Sequence, residues 1–325
     1  MIINRFDHRT PGRTHGHHTS SAMLSMEAFD LVNDASVYSD QLSKVDVWQP
    51  KRLYFNTGWW FFGSRENFEK ADKSNMLDVD IGVYYPSKGM SNNEIASLAS
   101  SQHLCQGFGR VSTRGSQKEY IEFLMGDPAE DKSDVFSGID TSWNRVKGGA
   151  AIEAVLSKVE NNFNFANPSQ HIPALMSALE LIENLEDKHW KAVKSKEIKK
   201  IIEACAGLYL EVSANTPTTS SGSEIELNIE ALNRSNHSIT LNSFKVTTQP
   251  GSTEKNVALE PNIKQNIKET IGIPNFWKTT SPYWLKEKGT TGMYEVAEQS
   301  LIGLPETPRS VKVIFNLSVD GKPLT

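Results

Sequence analysis

Between Glu224 and Leu232 the chain reads Glu-Ile-Glu-Leu-Asn-Ile-Glu-Ala-Leu, with an apolar residue at every second position through Ala231. Only an extended strand turns that period into one buried and one wet face; a helix would scatter Ile225, Leu227 and Ile229 around its circumference. Ile239–Val246 nearly repeats the pattern, and Val311–Leu317 supplies a third apolar stretch. Together they predict an antiparallel sheet with one solvated face, arranged as a partial immunoglobulin-like β-sandwich over 215–325. Asp320-Gly321-Lys322 then reads as a turn whose returning strand is expected beyond the last residue.

Upstream the period is different. Apolar residues recur at helical spacing from Ala150 to Val159, from Pro168 through Ile172, Leu175, Met176, Leu179 and Ile182, and from Lys188 to Leu210 through Ile198, Ile201, Ile202 and Leu208. These predict three helices packed antiparallel, with the Leu, Ile and Met stripe as core. Ala214–Gly222, rich in Thr and Ser around Pro217, reads as a linker. Residues 1–127 mix both periods. Thr19-Ser20-Ser21 reads as the cap of a helix through Met23, Leu24, Phe29 and Leu31, and Arg52–Phe55 as a strand. Ser91-Asn-Asn-Glu94 is a capping box opening a helix towards His103, and Lys118–Met125 is strand or helix. The expected class is α/β: the back half of a layered α/β structure in 1–127, a helical domain in 128–214 and the β domain in 215–325.

Composition narrows the partners. Of 325 residues, 38% are hydrophobic and 22% charged, enough apolar content for a buried core. The net charge is -5 with Lys and Arg scattered, which offers no basic patch to nucleic acid. No run approaches the roughly 18 consecutive apolar residues of a membrane helix, and Met1–His8 carries no apolar export signal. Cys105 and Cys205 sit in no C-x-x-C pair, so neither a zinc ribbon nor a dithiol redox motif is expected.

The segment that carries chemistry is Gly12-Arg-Thr-His15-Gly-His17-His18-Thr-Ser-Ser21, where three of the 8 histidines cluster. His15 and His18 stand three apart, so a turn feeding a helix can aim both imidazoles to one side. Neutral imidazole is a zinc ligand, and a catalytic zinc takes three protein ligands and a water. A helix N-terminus directly after His18 disfavours imidazolium and favours hydroxide or an oxyanion. On composition alone, a His-rich terminus that binds metal adventitiously has an equal claim. His8 has no spacing to support it, and His171, His189 and His237 read as surface or cap residues.

Gly12–Ser21, with Ala28-Phe-Asp30 and Trp48-Gln-Pro-Lys-Arg-Leu53, resembles the second metal motif and following strand of zinc-dependent N-deacetylases of the PIG-L/LmbE type. Ser97-Leu-Ala-Ser-Ser-Gln-His103-Leu-Cys-Gln106-Gly-Phe-Gly109 resembles that family's late helix, H-x-S/T-Q, with Cys105 at the hydroxyl position. The two matches come in the family's order. Ile198–Glu211 and Tyr283-Trp-Leu-Lys-Glu-Lys-Gly289 resemble large multidomain members, so the likeness covers most of the chain and is most specific up to Gly126. It implies a Rossmann-like LmbE-type layer fold for 1–127 and zinc as cofactor. It implies His18 as metal ligand, and His15 as the histidine that assists at the tetrahedral intermediate, as acid or charged stabiliser. His17 and His103 follow as supporting residues. The implied reaction is hydrolysis of an N-acyl group, usually acetyl on glucosamine, carried by an amino sugar, glycan or glycolipid.

This sequence departs from the family twice. His15-Gly16-His17-His18 stands where many members have H-P-D-H, so His17 replaces the aspartate that orients the first histidine. The first motif, H-P-D-D, with the family's other two zinc ligands and its catalytic aspartate, is absent, and Asp78-Val-Asp80 comes too late to replace it. The chain is therefore expected to be truncated at both ends, its histidines preceding any complete strand or helix. Alone, it is expected to hold zinc weakly and to be inactive. Gly58-Trp59-Trp60-Phe61-Phe62 reads either as an aromatic wall for a sugar ring or as ordinary packing, the commoner use. The alternative function is a non-catalytic glycan- or protein-binding module, motivated by the clean alternation after residue 222 and the incomplete site.

Overall fold

In the computed structural model, which describes residues 1–106 and 111–325, the chain has already completed a strand before it reaches the histidines. This strand, β1 (Ile2–Asn4), pairs in parallel with β2 (Arg52–Thr57), against the expectation that no element precedes His15. Parallel neighbours need a crossover, and helix α1 (Gly16–Leu31) lies in the connection. The remaining elements of the first compact unit, Met1–Thr141, are α2 (Arg65–Lys70), β3 (Met76–Asp80), β4 (Tyr84–Tyr85), β5 (Met90–Ser91), α3 (Asn92–Ser101) and β6 (Lys118–Gly126). The sheet runs β1-β2-β6-β3, antiparallel except for its first pair, and β4 and β5 make a separate ribbon.

One face of this sheet buries Tyr54, Leu77, Ile121 and Ala129. The alternate residues of β2 point the other way, to the face that receives α1. There the Ser25 hydroxyl donates to Asn4 Oδ1 at 2.6 Å. A Cβ added to Gly126 would come within 2.8 Å of Phe29 Cζ, so the helix sits close on the strand end. Met23 and Leu24, expected on the apolar stripe of this helix, are exposed, whereas Thr19, Ala22 and Phe29 are buried. The helix also begins earlier than expected. His15 is its N-cap, and Thr19, buried in the second turn with its hydroxyl 3.0 Å from that of Thr14, is no cap at all.

The capping box forms as read: Ser91 Oγ accepts from Glu94 N, and Glu94 Oε2 accepts from Ser91 N at 2.9 Å. It opens α3, which ends at Ser101 and leaves His103 outside the helix. Gly107-Phe-Gly109, the close of the second family match, falls outside the described residues.

The second unit, Ser142–Thr325, begins with α4 (Gly149–Asn161), α5 (Ile172–Glu183) and α6 (Lys188–Ala206), with α5 packed beside both others. Leu208–Leu210, expected at the end of the last helix, are not helical. Gly207 takes the left-handed conformation (φ +56) that closes α6. From Tyr209 the chain is β7 (Tyr209–Ala214), followed by β8 (Glu224–Leu232), β9 (Ile239–Val246), β10 (Thr253–Ala258), β11 (Gln265–Gly272), β12 (Val313–Val319) and β13 (Lys322–Leu324). Here β13 is the returning strand that the sequence placed beyond the chain; it pairs with β12 across Asp320-Gly321.

These strands make two antiparallel sheets, β11-β8-β7 and β10-β9-β12-β13, stacked as a sandwich around Ile225, Leu227, Ile229, Phe244 and Val246. Asn242 has no partner in the register of either neighbour of β9. This bulge keeps Phe244 and Val246 on the same face as Ile239 and Leu241. At one end of the sandwich Ile239, Leu241, Leu317 and Val319 share a core with Ile152, Ile172, Leu175, Ile182 and Ile202 of the helices. The helices and the sandwich are therefore one unit, and the chain divides between Thr141 and Ser142. His171, read as a surface or cap residue, is the N-cap of α5 and is buried rather than exposed: its ring stacks on Phe163 and its Nε2 accepts from Asn164 N at 3.1 Å. No helix among the described residues is long and apolar enough to cross a membrane.

Candidate metal centre

The exit of a parallel strand into a helix N-terminus is a recurrent ligand site, because unpaired N–H groups and the positive end of the helix face it. Here Arg5–Thr14 connects β1 to α1. His15 is extended (φ -62, ψ 146), and its carbonyl accepts from His18 N at 2.9 Å and Thr19 N at 3.3 Å. Its side chain makes no capping bond, and the first turn holds no acidic residue. The His15 imidazole is therefore free of a capping duty at the helix end.

Three imidazoles converge. One ring nitrogen each of His15, His17 and His18 lies within 4.8 Å of the other two. The His17 and His18 ring centroids are 4.0 Å apart, and His15 stands 5.6 Å from His17 and 5.7 Å from His18. Phe6, at the start of the loop, stacks on His18 at 3.8 Å and 13°. Desolvation, then the neighbouring His17 and His15, hold the His18 imidazole below its ordinary titration range, which favours the neutral ring that can ligate. Nitrogens on one tetrahedral zinc stand about 3.3 Å apart, so small side-chain rotations would bring this donor set onto an ion. The residues present fit a zinc ion in donor type and proximity.

The loop is pinned from below. Arg9 donates both Nη groups to the Glu122 carboxylate, at 2.8 and 2.7 Å, and Nε to Asp7 Oδ1 at 2.8 Å. The Arg9 backbone N–H shares that same oxygen at 3.0 Å. These bonds, Glu122 first, hold the guanidinium charged well above its ordinary range, and Asp7 is buried. Arg5 bonds Asn56 Oδ1 at 2.8 Å, and Arg13 donates to the Phe61 carbonyl at 2.5 Å. Asn4 Nδ2 and Thr57 Oγ1, at the C-terminal ends of β1 and β2, are buried without a hydrogen-bond partner among the described residues. Sequence reasoning missed Asp7, Arg9 and Glu122. The Asp-x-Arg spacing was a local signal for the first two; Glu122 had none.

Trp59 and Trp60 lie on a 3-10 turn, Trp59–Phe62, directly after β2, and are 45% and 50% exposed. Phe61 packs edge-on against Phe55 at 4.7 Å, and Arg65 covers Trp59 at 5.4 Å. The bond from Arg13 to Phe61 ties this turn to the histidine segment. His103 is exposed beyond α3 and is not one of the three converging imidazoles.

No protein-family model matches the chain, and no curated protein matches it. Among solved structures, Pseudomonas fluorescens alkylpurine DNA glycosylase AlkC bound to DNA containing an abasic site analog matches at 11% identity and a TM-score of 0.20. The match covers 52% of this chain and 48% of that one, about half of each, and a likeness of this degree supports no inference about fold or function.

Proposed function

We propose that Met1–Thr141 carries the second metal motif of a zinc-dependent N-deacetylase of the PIG-L/LmbE kind, acting on an N-acylated amino sugar. The observation that carries this reading is the convergence of His15, His17 and His18 at the start of α1, just after a parallel strand. On this reading the first sheet belongs to a Rossmann-like LmbE layer, and the sandwich of the second unit is an appended immunoglobulin-like domain.

His18, part-buried under Phe6 and shifted towards its neutral form, is the zinc ligand. When bound, zinc supplies Lewis acidity at the acyl oxygen and a water acidic enough to attack near neutral pH. His15, exposed at the N-cap, hands a proton to the departing amine or, as imidazolium, stabilises the tetrahedral oxyanion. The N–H groups of the first turn of α1 favour the same negative charge. His17 stands where the family has its orienting aspartate, and His103 is a supporting residue. Arg13 holds the Trp59–Phe62 turn to the histidine segment, which supports Trp59 and Trp60 as a wall for the sugar ring. The 325 residues contain no H-P-D-D motif, and on this reading the remaining ligands and the aspartate that takes the proton of water are not among them.

The test is zinc titration and acetate release from N-acetylglucosamine, with this chain alone and with it joined to an H-P-D-D-bearing segment. The joined protein is expected to retain zinc and release acetate, and His18→Ala to lose both; the chain alone is expected to bind weakly. A joined protein that holds no zinc overturns the reading.

A further inference from the structure

Between β11 and β12 the chain runs through 273–312, a long excursion anchored on the sandwich core by Ile273, Trp277 and Val311 and carrying two 3-10 turns, Tyr283–Leu285 and Gln299–Leu301, and a single β-bridge between Thr290 and Met293. Loops of that length inside a compact unit are uncommon and tend to carry function. This one is stapled. Tyr283 N donates to Thr307 Oγ1 at 2.8 Å, Thr307 Oγ1 donates to the Ser281 carbonyl at 3.3 Å, and Tyr283 Oη donates to the Leu304 carbonyl at 3.0 Å. Pro282 and Pro308 stiffen the two limbs so joined.

A cleft of about 410 Å³ opens along the limbs, lined by Thr280, Ser281, Trp284, Glu306, Arg309 and Ser310 among others. The Trp284 indole is part-buried and set edge-on against Tyr283, at 4.9 Å and 89°, which fixes its plane. Among the described residues neither Glu306 nor Arg309 has an ion-pair or hydrogen-bond partner, so a donor fork and an acceptor stand ready in the same cleft. One positive and one negative group cancel, which disfavours phosphate; a single carboxylate is too few for a metal ion. What fits is a neutral polyol with an apolar face. A pyranose offers C–H groups to an aromatic ring, and adjacent hydroxyls that accept from a guanidinium and donate to a carboxylate.

We propose that this cleft is a carbohydrate subsite for a neutral oligosaccharide, with Trp284 stacking on one ring and Arg309 and Glu306 bonding its hydroxyls. The subsite belongs wholly to the second unit and stands independently of the metal centre.

The experiment titrates chitotriose and cellotriose into the full chain, read by saturation-transfer NMR and calorimetry. At least one trisaccharide is expected to bind with a dissociation constant of about 1 mM or tighter. Trp284→Ala weakens it about tenfold or more, Trp284→Phe keeps most of it, and Arg309→Ala gives a smaller loss. Should Trp284→Ala fail to fold by circular dichroism, Arg309→Ala at the cleft rim decides in its place. Binding by neither sugar, binding that survives these cleft substitutions, or binding lost in His18→Ala instead overturns the proposal.

Discussion

Phe6 and His18 lie ring on ring, with centroids 3.8 Å apart and planes 13° from parallel. Stacking occupies one face of the imidazole and strips water from it. Both ring nitrogens lie on the edge, in the plane, where a stacked neighbour leaves them open.

The His18 resonance should therefore titrate below the ordinary imidazole value of 6.5, chiefly through desolvation and then through repulsion from His17 and His15. Phe6→Ala should raise its midpoint, and His17→Ala should raise it more than His15→Ala does. The unfolded chain takes up this proton at a pH where the folded chain does not. The contribution of His18 to stability is thus present above about 6.5 and lost as pH falls towards the folded value. NMR titration of the histidine ring protons reads both effects; a midpoint unmoved by Phe6→Ala would remove the stacking ring as the source of desolvation.

Arg9→Met removes three side-chain hydrogen bonds and leaves Asp7 buried without the Arg9 guanidinium. The backbone N–H bond can survive, and Arg9 is partly exposed, so the cost should be about 1–3 kcal/mol rather than that of a fully buried pair. Glu122→Gln should cost less. Urea denaturation measures both, and an Arg9→Met protein as stable as the parent would mean the loop is held by something else.

At Gly126, φ is +89 and an added Cβ would meet Lys51 O at 2.3 Å and Phe29 Cζ at 2.8 Å. Gly126→Ala should destabilise the first unit by about 1–3 kcal/mol, from backbone strain and overpacking together. Gly89→Ala, also at positive φ but with nothing within 4 Å, should cost about 1 kcal/mol. Equal costs at the two positions would show that the close approach of α1 is not tight.

The two thiols should differ in reactivity. Cys105 is exposed; Cys205 is buried, and desolvation raises its ionisation above the ordinary thiol value of 9.0. Iodoacetamide should label one site in the native protein and two after denaturation. Because the unfolded thiol ionises first, the stability contributed by Cys205 should be present below about 9 and lost as pH rises above it. Native labelling of both sites at equal rates would contradict the burial.

What could be read from sequence was what both partners spell locally. Ser91 and Glu94 stand three residues apart, so their reciprocal cap was visible, as was the alternation from Ile225 to Ala231. The starting turn of α1 was misread because Thr19 looks like a cap until Thr14 reaches across to its hydroxyl. Apolar Leu208–Leu210 extended the helical period, and only the left-handed Gly207 shows where it stops. The three-residue β1 is too short to carry a pattern; its identity comes from β2, dozens of positions later. At the candidate site the three histidines were legible as neighbours in sequence, while the clamp of Arg9 on Glu122 needed the fold.

The core that Ile239, Leu241, Leu317 and Val319 share with α4–α6 has a practical consequence. Residues 215–325 expressed alone would present these side chains as a bare greasy end, and are expected to self-associate or fall out of solution. Ser142–Thr325 keeps that end covered by its own helices, so the workable place to cut the gene is after Thr141 rather than in the Thr- and Ser-rich linker.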